Sequence, residues 1–192
     1  MKTEVKCSGC GRVSITEVPQ VINVGDNPEL KEKVISGELF IYECPSCGHR
    51  ELLEYNLLYH DPDAGLLVCV SDRGMSVEGM QGYTGRLVSD AGSLIEKIKI
   101  FDAGLDDVVM ELCKYVTAQE LGKDVSLRFL NMTGADHEIT LAYPDKGQMQ
   151  MVQIGFNVYE DCAGIVNRNP VLKEAASGFI RVDQEWLYKF MK

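Results

Sequence analysis

No apolar run in this chain approaches the roughly 18–20 residues that a membrane-spanning helix needs, so no membrane association is expected. The opening MKTEVKCSGC lacks an apolar h-region. That argues against a secretory signal and makes a reducing, cytoplasmic compartment the default. A basic stripe is missing too. The formal net charge is −10, from 29 acids against 19 lysines and arginines. Lys31 and Lys33 alternate with Glu29 and Glu32, as on a solvated helix face. This balance disfavours nucleic acid as a partner. Histidine is scarce, and His49, His60 and His137 are too scattered to make a metal or catalytic constellation. Beyond the two cysteine units described next, no structural repeat is evident.

What is present is a globular composition, 45% hydrophobic over 192 residues, enough for one large domain or two small ones. Seven cysteines is an odd count, and four of them form two tight units, CSGCG (Cys7–Gly11) and CPSCGH (Cys44–His49). Four readings compete: a metal clip, a redox pair, a catalytic metal site and a zinc-ribbon nucleic-acid reader. A structural Zn²⁺ wants four thiolates in a closed tetrahedron, and two Cys-x-x-Cys knuckles provide them from two segments. The glycine after each second cysteine, Gly11 and Gly48, lets the backbone turn so that amides can point at the sulfurs. The 33 residues between Cys10 and Cys44 exceed the roughly 15–20 of compact fingers, and an inserted helix with flanking strands accounts for the excess. The redox reading needs a helix N-terminus beneath Cys44, but Gly48 interrupts there, and Cys7 and Cys10 are left unexplained. A catalytic zinc needs an open position, which four thiolates do not leave. The clip, with Cys7, Cys10, Cys44 and Cys47 as ligands of one Zn²⁺, ranks first.

Other signals have blander explanations. Cys69, Cys113 and Cys162 lie in apolar patterns and read as small buried hydrophobes. Met149 and Met151 read as core fillers. His60 ends a strand, Asp61 and Asp63 read as turn residues, and His137 reads as a surface residue after a turn. Asp106 and Asp107 read as first-turn acids of a helix. GMQGYTG lacks the Lys-Ser/Thr of a P-loop.

Along the chain, Arg12–Val24 alternates as strand, with Pro19 at an edge or bulge. DNPELKEKVISGE carries helix punctuation: Asn27 as N-cap, Pro28 in the first position and Gly37 as terminator. ELFIYE reads as a strand, and ELLEYNLLYH with GLLVCV reads as a hairpin around DPDA. The glycine-rich stretch Arg73–Gly85 is a candidate boundary or loop, with a short strand, RLVS, after it. SLIEKIKIF and LDDVVMELCKYVTAQEL then shift to helical period. Leu105, Val108, Val109, Leu112, Cys113 and Val116 make one apolar stripe, with Gly104 and Gly122 as stops. VSLRFL, EITLAY and MQMVQIGF read as an antiparallel meander, with Val152 out of phase after Met149 and Met151 and hinting at a bulge. A helix over VYEDCAGIV and a C-terminal helix capped by Asp183 complete the pattern.

CSGCG, INVGDNPELKEKVISGELFIYECPSCGH, LLYHDPD and IEKIKIFDAGLDDVVMELCKY, in this order and spacing, resemble the CpXC-domain proteins, bacterial and archaeal proteins named for two Cys-Pro-x-Cys motifs. The resemblance covers about the first 120 residues. The second motif is intact, whereas Ser8 stands where the first would have proline. The resemblance implies a zinc-ribbon-like N-terminal module and no particular reaction. The expected architecture is α+β: a zinc-ribbon-like β module with an inserted helix over 1–73, its CpXC-like region extending to about 121, then a helix pair, a meander and C-terminal helices over 86–192. The leading functional expectation is a non-enzymatic binding or regulatory module for a protein or small ligand, with oligomeric state open. The alternative is an enzyme with a site between ribbon and helices that uses His60, Asp61 or the Arg73–Gly85 loop. A zinc-ribbon nucleic-acid binder is third.

Overall fold

The computed structural model describes residues 1–71 and 82–191. The chain is α+β and divides into two units, Met1–Ile95 and Glu96–Lys192.

The first unit opens with a hairpin of β1 (Lys2–Lys6) and β2 (Val13–Glu17), followed by β3 (Val21–Asn23) and helix α1 (Glu29–Ile35). α1 starts after Pro28, with no side-chain cap. The Asn27 carbonyl accepts from the Leu30 amide, and the Asn27 amide donates to Asn23. The expected Asn27 cap is therefore replaced by proline's preset φ. Gly37, at φ +77°, ends the helix as expected. ELF then forms a 3-10 turn (Glu38–Phe40) rather than strand, and only β4 (Ile41–Glu43) is extended. β4 pairs antiparallel with β5 (Arg50–Leu52) in a second short hairpin.

β6 (Leu57–Asp61) and β7 (Leu66–Val70) form the expected antiparallel pair. The expected first strand of that hairpin divides, because Glu51 and Leu52 belong to β5. β3 runs parallel to β6, and β8 (Thr84–Val88) parallel to β7, giving the four-stranded order β3-β6-β7-β8. Burial on both faces explains the unbroken apolar run of β7. Of the Arg73–Gly85 stretch, residues 73–81 lie outside the described residues; Gly82 has φ +95°, and Thr84 and Gly85 open β8.

Helix α2 (Ala91–Asp102) spans the division between the units. The second unit continues with α3 (Asp107–Leu121) and an antiparallel meander of β9 (Arg128–Thr133), β10 (Glu138–Asp145) and β11 (Gln148–Ile154). It ends with α4 (Phe156–Asn167), α5 (Pro170–Ala175) and α6 (Gln184–Tyr188). Asp106 caps α3 through the Val108 and Val109 amides, Gly122 closes it in the left-handed region, and Asp183 caps α6. The apolar stripe of α3 packs against Phe129, Ile139, Leu141 and the α4 residues Cys162 and Val166. Asp107 is more than a first-turn acid. It is buried, and its carboxylate lies 2.8 Å from Lys97 Nζ. Lys97 also faces Glu111, and Lys114 bridges Glu111 (2.8 Å) and Glu96 (2.7 Å).

The meander corrects two expectations. β10 and β11 pair without interruption from Ile139↔Ile154 to Asp145↔Gln148. The register shift lies in the β9–β10 pair, where Leu130 is the extra residue. Met149 and Met151 point outward, 62% and 70% exposed, while Ile154 is buried on the core face opposite Ile139. The strand's phase is set by its branched residues: Val152 and Ile154 mark the inside, and the methionines the outside.

Candidate metal centre

Each cysteine unit occupies the tip of a short hairpin, Cys7–Arg12 between β1 and β2 and Cys44–His49 between β4 and β5. Both tips close in the same way. The Cys7 amide donates to Arg12 O (2.9 Å), and the Gly11 amide to Cys7 O (2.8 Å). The Cys44 amide donates to His49 O (2.8 Å), and the Gly48 amide to Cys44 O (2.9 Å). Both turns need a left-handed residue at the fifth position, where Gly11 has φ +72° and Gly48 φ +70°. A side chain there would strain the turn even though the space is open.

The two tips meet. Cys7 and Cys47 Sγ lie 3.7 Å apart, as do Cys10 and Cys44 Sγ. All four sulfurs fall within 4.8 Å of one another. A metal–thiolate distance of 2.3 Å in a regular tetrahedron gives an edge of about 3.8 Å. The 3.7 Å separations are therefore tetrahedron edges, and the four cysteines can hold a metal ion. Cys7 and Cys44 are buried, and Cys10 and Cys47 are exposed.

The electrostatics also call for a cation. The backbone amide of Ser46, then that of Cys47, stabilises the Cys44 thiolate and brings its pKa down to about 6 against burial. The amides of Cys10 and Gly9 donate to Cys7, whose thiol is nonetheless raised, first by burial. At Cys47 the His49 amide lowers the pKa, but Cys10, burial, Cys44 and Cys7 together push it up to about 12. One thiol ionises at the expense of its neighbours, and a divalent ion relieves this by compensating all four. The local core between the hairpins is small. It consists of Val5, Cys7, Tyr42 and Cys44 with Leu53 against them, so half of its buried members are the ligands themselves.

A second layer joins the tips and was not read from sequence. Ser8 Oγ lies 2.9 Å from His49 Nε2, and the Ser8 amide donates to Glu51 Oε1 at 3.2 Å. Ser8 holds the Glu51 carboxyl below the usual range, chiefly through its hydroxyl and then its amide. The His49 ring rests on Gly9, where a Cβ would come within 2.8 Å of His49 Cγ. Proline at position 8 has no amide N–H to give to Glu51. Serine in place of proline in the first motif was the signal for this contact. On the inner side, the Ser14 and Tyr42 hydroxyls hydrogen-bond across the two hairpins.

The other sequence candidates lie elsewhere. The His60 ring lies tilted against that of Tyr83, with centroids 5.1 Å apart. Asp61 is not an ordinary turn residue. It is buried, and it accepts from Lys31 Nζ (2.9 Å), the Ala64 amide (3.1 Å) and the Tyr59 hydroxyl (3.3 Å), which ties α1 to β6. Burial raises its carboxyl, and Lys31 with the other donors brings it below its usual value. Among the described residues neither belongs to a cluster able to hold a metal. His137 adopts φ +52° at the last position of the turn before β10 and packs near Phe156, with centroids 5.6 Å apart. Cys69, Cys113 and Cys162 are buried, as expected. Among the described residues, no helix is long and apolar enough to cross a membrane.

No curated protein and no solved structure matches the chain. The family model described as CpXC protein matches residues 5–114, which include both cysteine tips, the whole four-stranded sheet, α2 and half of α3. With both motifs converging on one cluster of sulfurs and more than half of the sequence inside that match, the chain belongs to the CpXC family.

Proposed function

We propose that Cys7, Cys10, Cys44 and Cys47 hold one Zn²⁺ as thiolates, and that the metal makes the two hairpins a zinc-ribbon-like structural module. The observation that carries this reading is the pair of 3.7 Å sulfur–sulfur edges within one four-cysteine cluster. Zinc fits a soft, all-sulfur tetrahedron. Four thiolates leave no open position for water, so the metal is structural and the module acts by binding. Four reduced thiolates fit a reducing compartment such as the cytoplasm.

In this reading the module serves recognition or regulation of a protein or small-molecule ligand. A cavity of 240 Å³ in the same unit, lined by Phe40, Glu54, Tyr55, Asn56 and Asp90 among others, offers a place for a small ligand. His60 and Asp61 are absent from its lining, and Asp61 is already committed to Lys31. The acidic balance argues against nucleic acid.

Metal analysis of protein purified without chelator tests the site. The expected result is one zinc per chain, lost in Cys7→Ser and Cys44→Ser. A folded, metal-free protein carrying a Cys44–Cys47 disulfide would overturn the reading. For the binding role, retention on DNA or RNA at low salt would favour a nucleic-acid reader instead.

A further inference from the structure

The four-stranded sheet has a cavity at one of its ends. β7 and β8 run parallel and finish level, at Val70 and Val88, and α2 begins at Ala91. Ligand sites of α/β sheets gather outside the carboxyl ends of parallel strands. The 240 Å³ cavity lies at that end, lined by Val70, Ser89 and Ala91 together with Phe40 and the Glu54–Asn56 link between β5 and β6. It is smaller than the roughly 300–1,000 Å³ of pockets for drug-sized ligands, so its ligand must be small.

The lining grades from charged to aromatic. Glu54 is exposed, Tyr55 is half-buried and Phe40 is buried. The Glu54 carboxylate has no hydrogen bond or ion pair among the described residues, and among them no lysine, arginine or histidine lines the cavity. The Tyr55 hydroxyl is committed to Leu39 O at 2.9 Å, which leaves its ring for the cavity, 5.6 Å from that of Phe40.

Two other kinds of occupant fit poorly. An anion would seek the N-terminal amides of α2. There Asp90 already accepts from the Ser93 amide (2.8 Å) and the Ser93 hydroxyl (3.0 Å), and its own charge repels an anion. A metal ion would need a further ligand. Among the described residues the four cysteines are the one group of three or more such side chains placed to hold an ion.

We infer that this cavity takes a small organic ammonium, its charge against Glu54 and its apolar body against the rings of Tyr55 and Phe40. Aromatic rings accept apolar surface and also attract a cation to their faces, so both halves of such a ligand meet complementary groups. The inference rests on the reading of this cavity as a ligand site and does not depend on the metal.

Amide NMR titration of the full chain at neutral pH tests it with three probes of nearly one shape: benzylammonium, benzyl alcohol and benzoate. Benzylammonium should shift the Asn56, Val70, Ser89 and Ala91 amides saturably and bind about fivefold or more tighter than benzyl alcohol. Glu54→Gln, a change at an exposed position, should remove that difference and leave the affinity for the alcohol unchanged. Ammonium binding indifferent to Glu54→Gln overturns the inference. Benzyl alcohol or benzoate binding here as tightly as the ammonium overturns the choice of a cation and leaves the cavity a ligand site. The absence of a saturable shift from any of the three overturns the ligand-site reading itself, and the inference with it.

Discussion

The hydroxyl of Ser8 lies 2.9 Å from Nε2 of His49, and this contact joins the two cysteine-bearing hairpin tips outside their sulfurs. Ser8→Pro would restore the family's Cys-Pro-x-Cys pattern and remove both the hydroxyl and the amide that serves Glu51. The expected result is a folded protein that releases its metal to a chelator up to about tenfold faster, the lower range for loss of a supporting contact around a metal site. Chelator-competition kinetics on Ser8→Pro and His49→Ala check this. Equal rates for wild type and both variants would show that the contact does not support the site.

Gly9→Ala should disturb the same contact by crowding rather than by loss, since the new Cβ meets the His49 ring. Gly11→Ala and Gly48→Ala act differently. They leave the space open but force a left-handed alanine, at a cost of about 1 kcal/mol each. Thermal denaturation should therefore show two moderately destabilised glycine-turn variants. In Gly9→Ala, His49 should shift in NMR spectra while the turn bonds persist.

Removing one ligand should be more severe. Cys44→Ser should abolish stoichiometric metal binding and expose the amides of β1, β2, β4 and β5 to hydrogen exchange, because the core between the hairpins is so small. Amides of β9–β11 and α3 should stay protected, since their core is separate and large. Global loss of protection would contradict this.

The charges of the second unit predict a dependence on pH. Glu111 is buried, and burial alone would raise its pKa. Lys114 and then Lys97 outweigh burial and hold it below its ordinary value. A depressed folded pKa contributes stability above the ordinary value and loses it as pH falls through the folded value. Stability in urea should therefore be level near neutrality and fall below about pH 4.5, the ordinary glutamate value, and the fall should be shallower in Glu111→Gln. Lys114→Met leaves the buried Glu111 and the partly buried Glu96 without their bridging cation and should cost about 3–5 kcal/mol.

The cysteine tips were legible because metal chemistry fixes residue type and spacing while glycine fixes the turn. Cys7, Cys10, Cys44, Cys47, Gly11 and Gly48 fall where their pattern places them. The α3 stripe, its Gly122 stop and the Asp183 cap were legible for the same local reason, whereas Asp106, read as a first-turn acid, is the N-cap of α3. What failed depended on tertiary context. Met149 and Met151 are apolar and alternate, but so do Val152 and Ile154 in the opposite phase, and only the packed sheet decides between them. Asp61 has the sequence of a turn and the partners of a buried anchor, because Lys31 reaches it from 30 residues away. The Ser8–His49 and Ser8–Glu51 contacts span more than 40 positions, a distance over which periodicity carries no information.

The matching hydrogen bonds of the two tips make their backbones interchangeable, but their surfaces are not. His49 lies over Gly9, which is small enough to receive it. At the equivalent places the first tip has Arg12 and the second has Ser46. Exchanging the two motifs would keep the four sulfurs and both turns and would move the histidine cover to the other side of the cluster. The site thus has two unlike sides, an asymmetry that four identical ligands cannot supply by themselves.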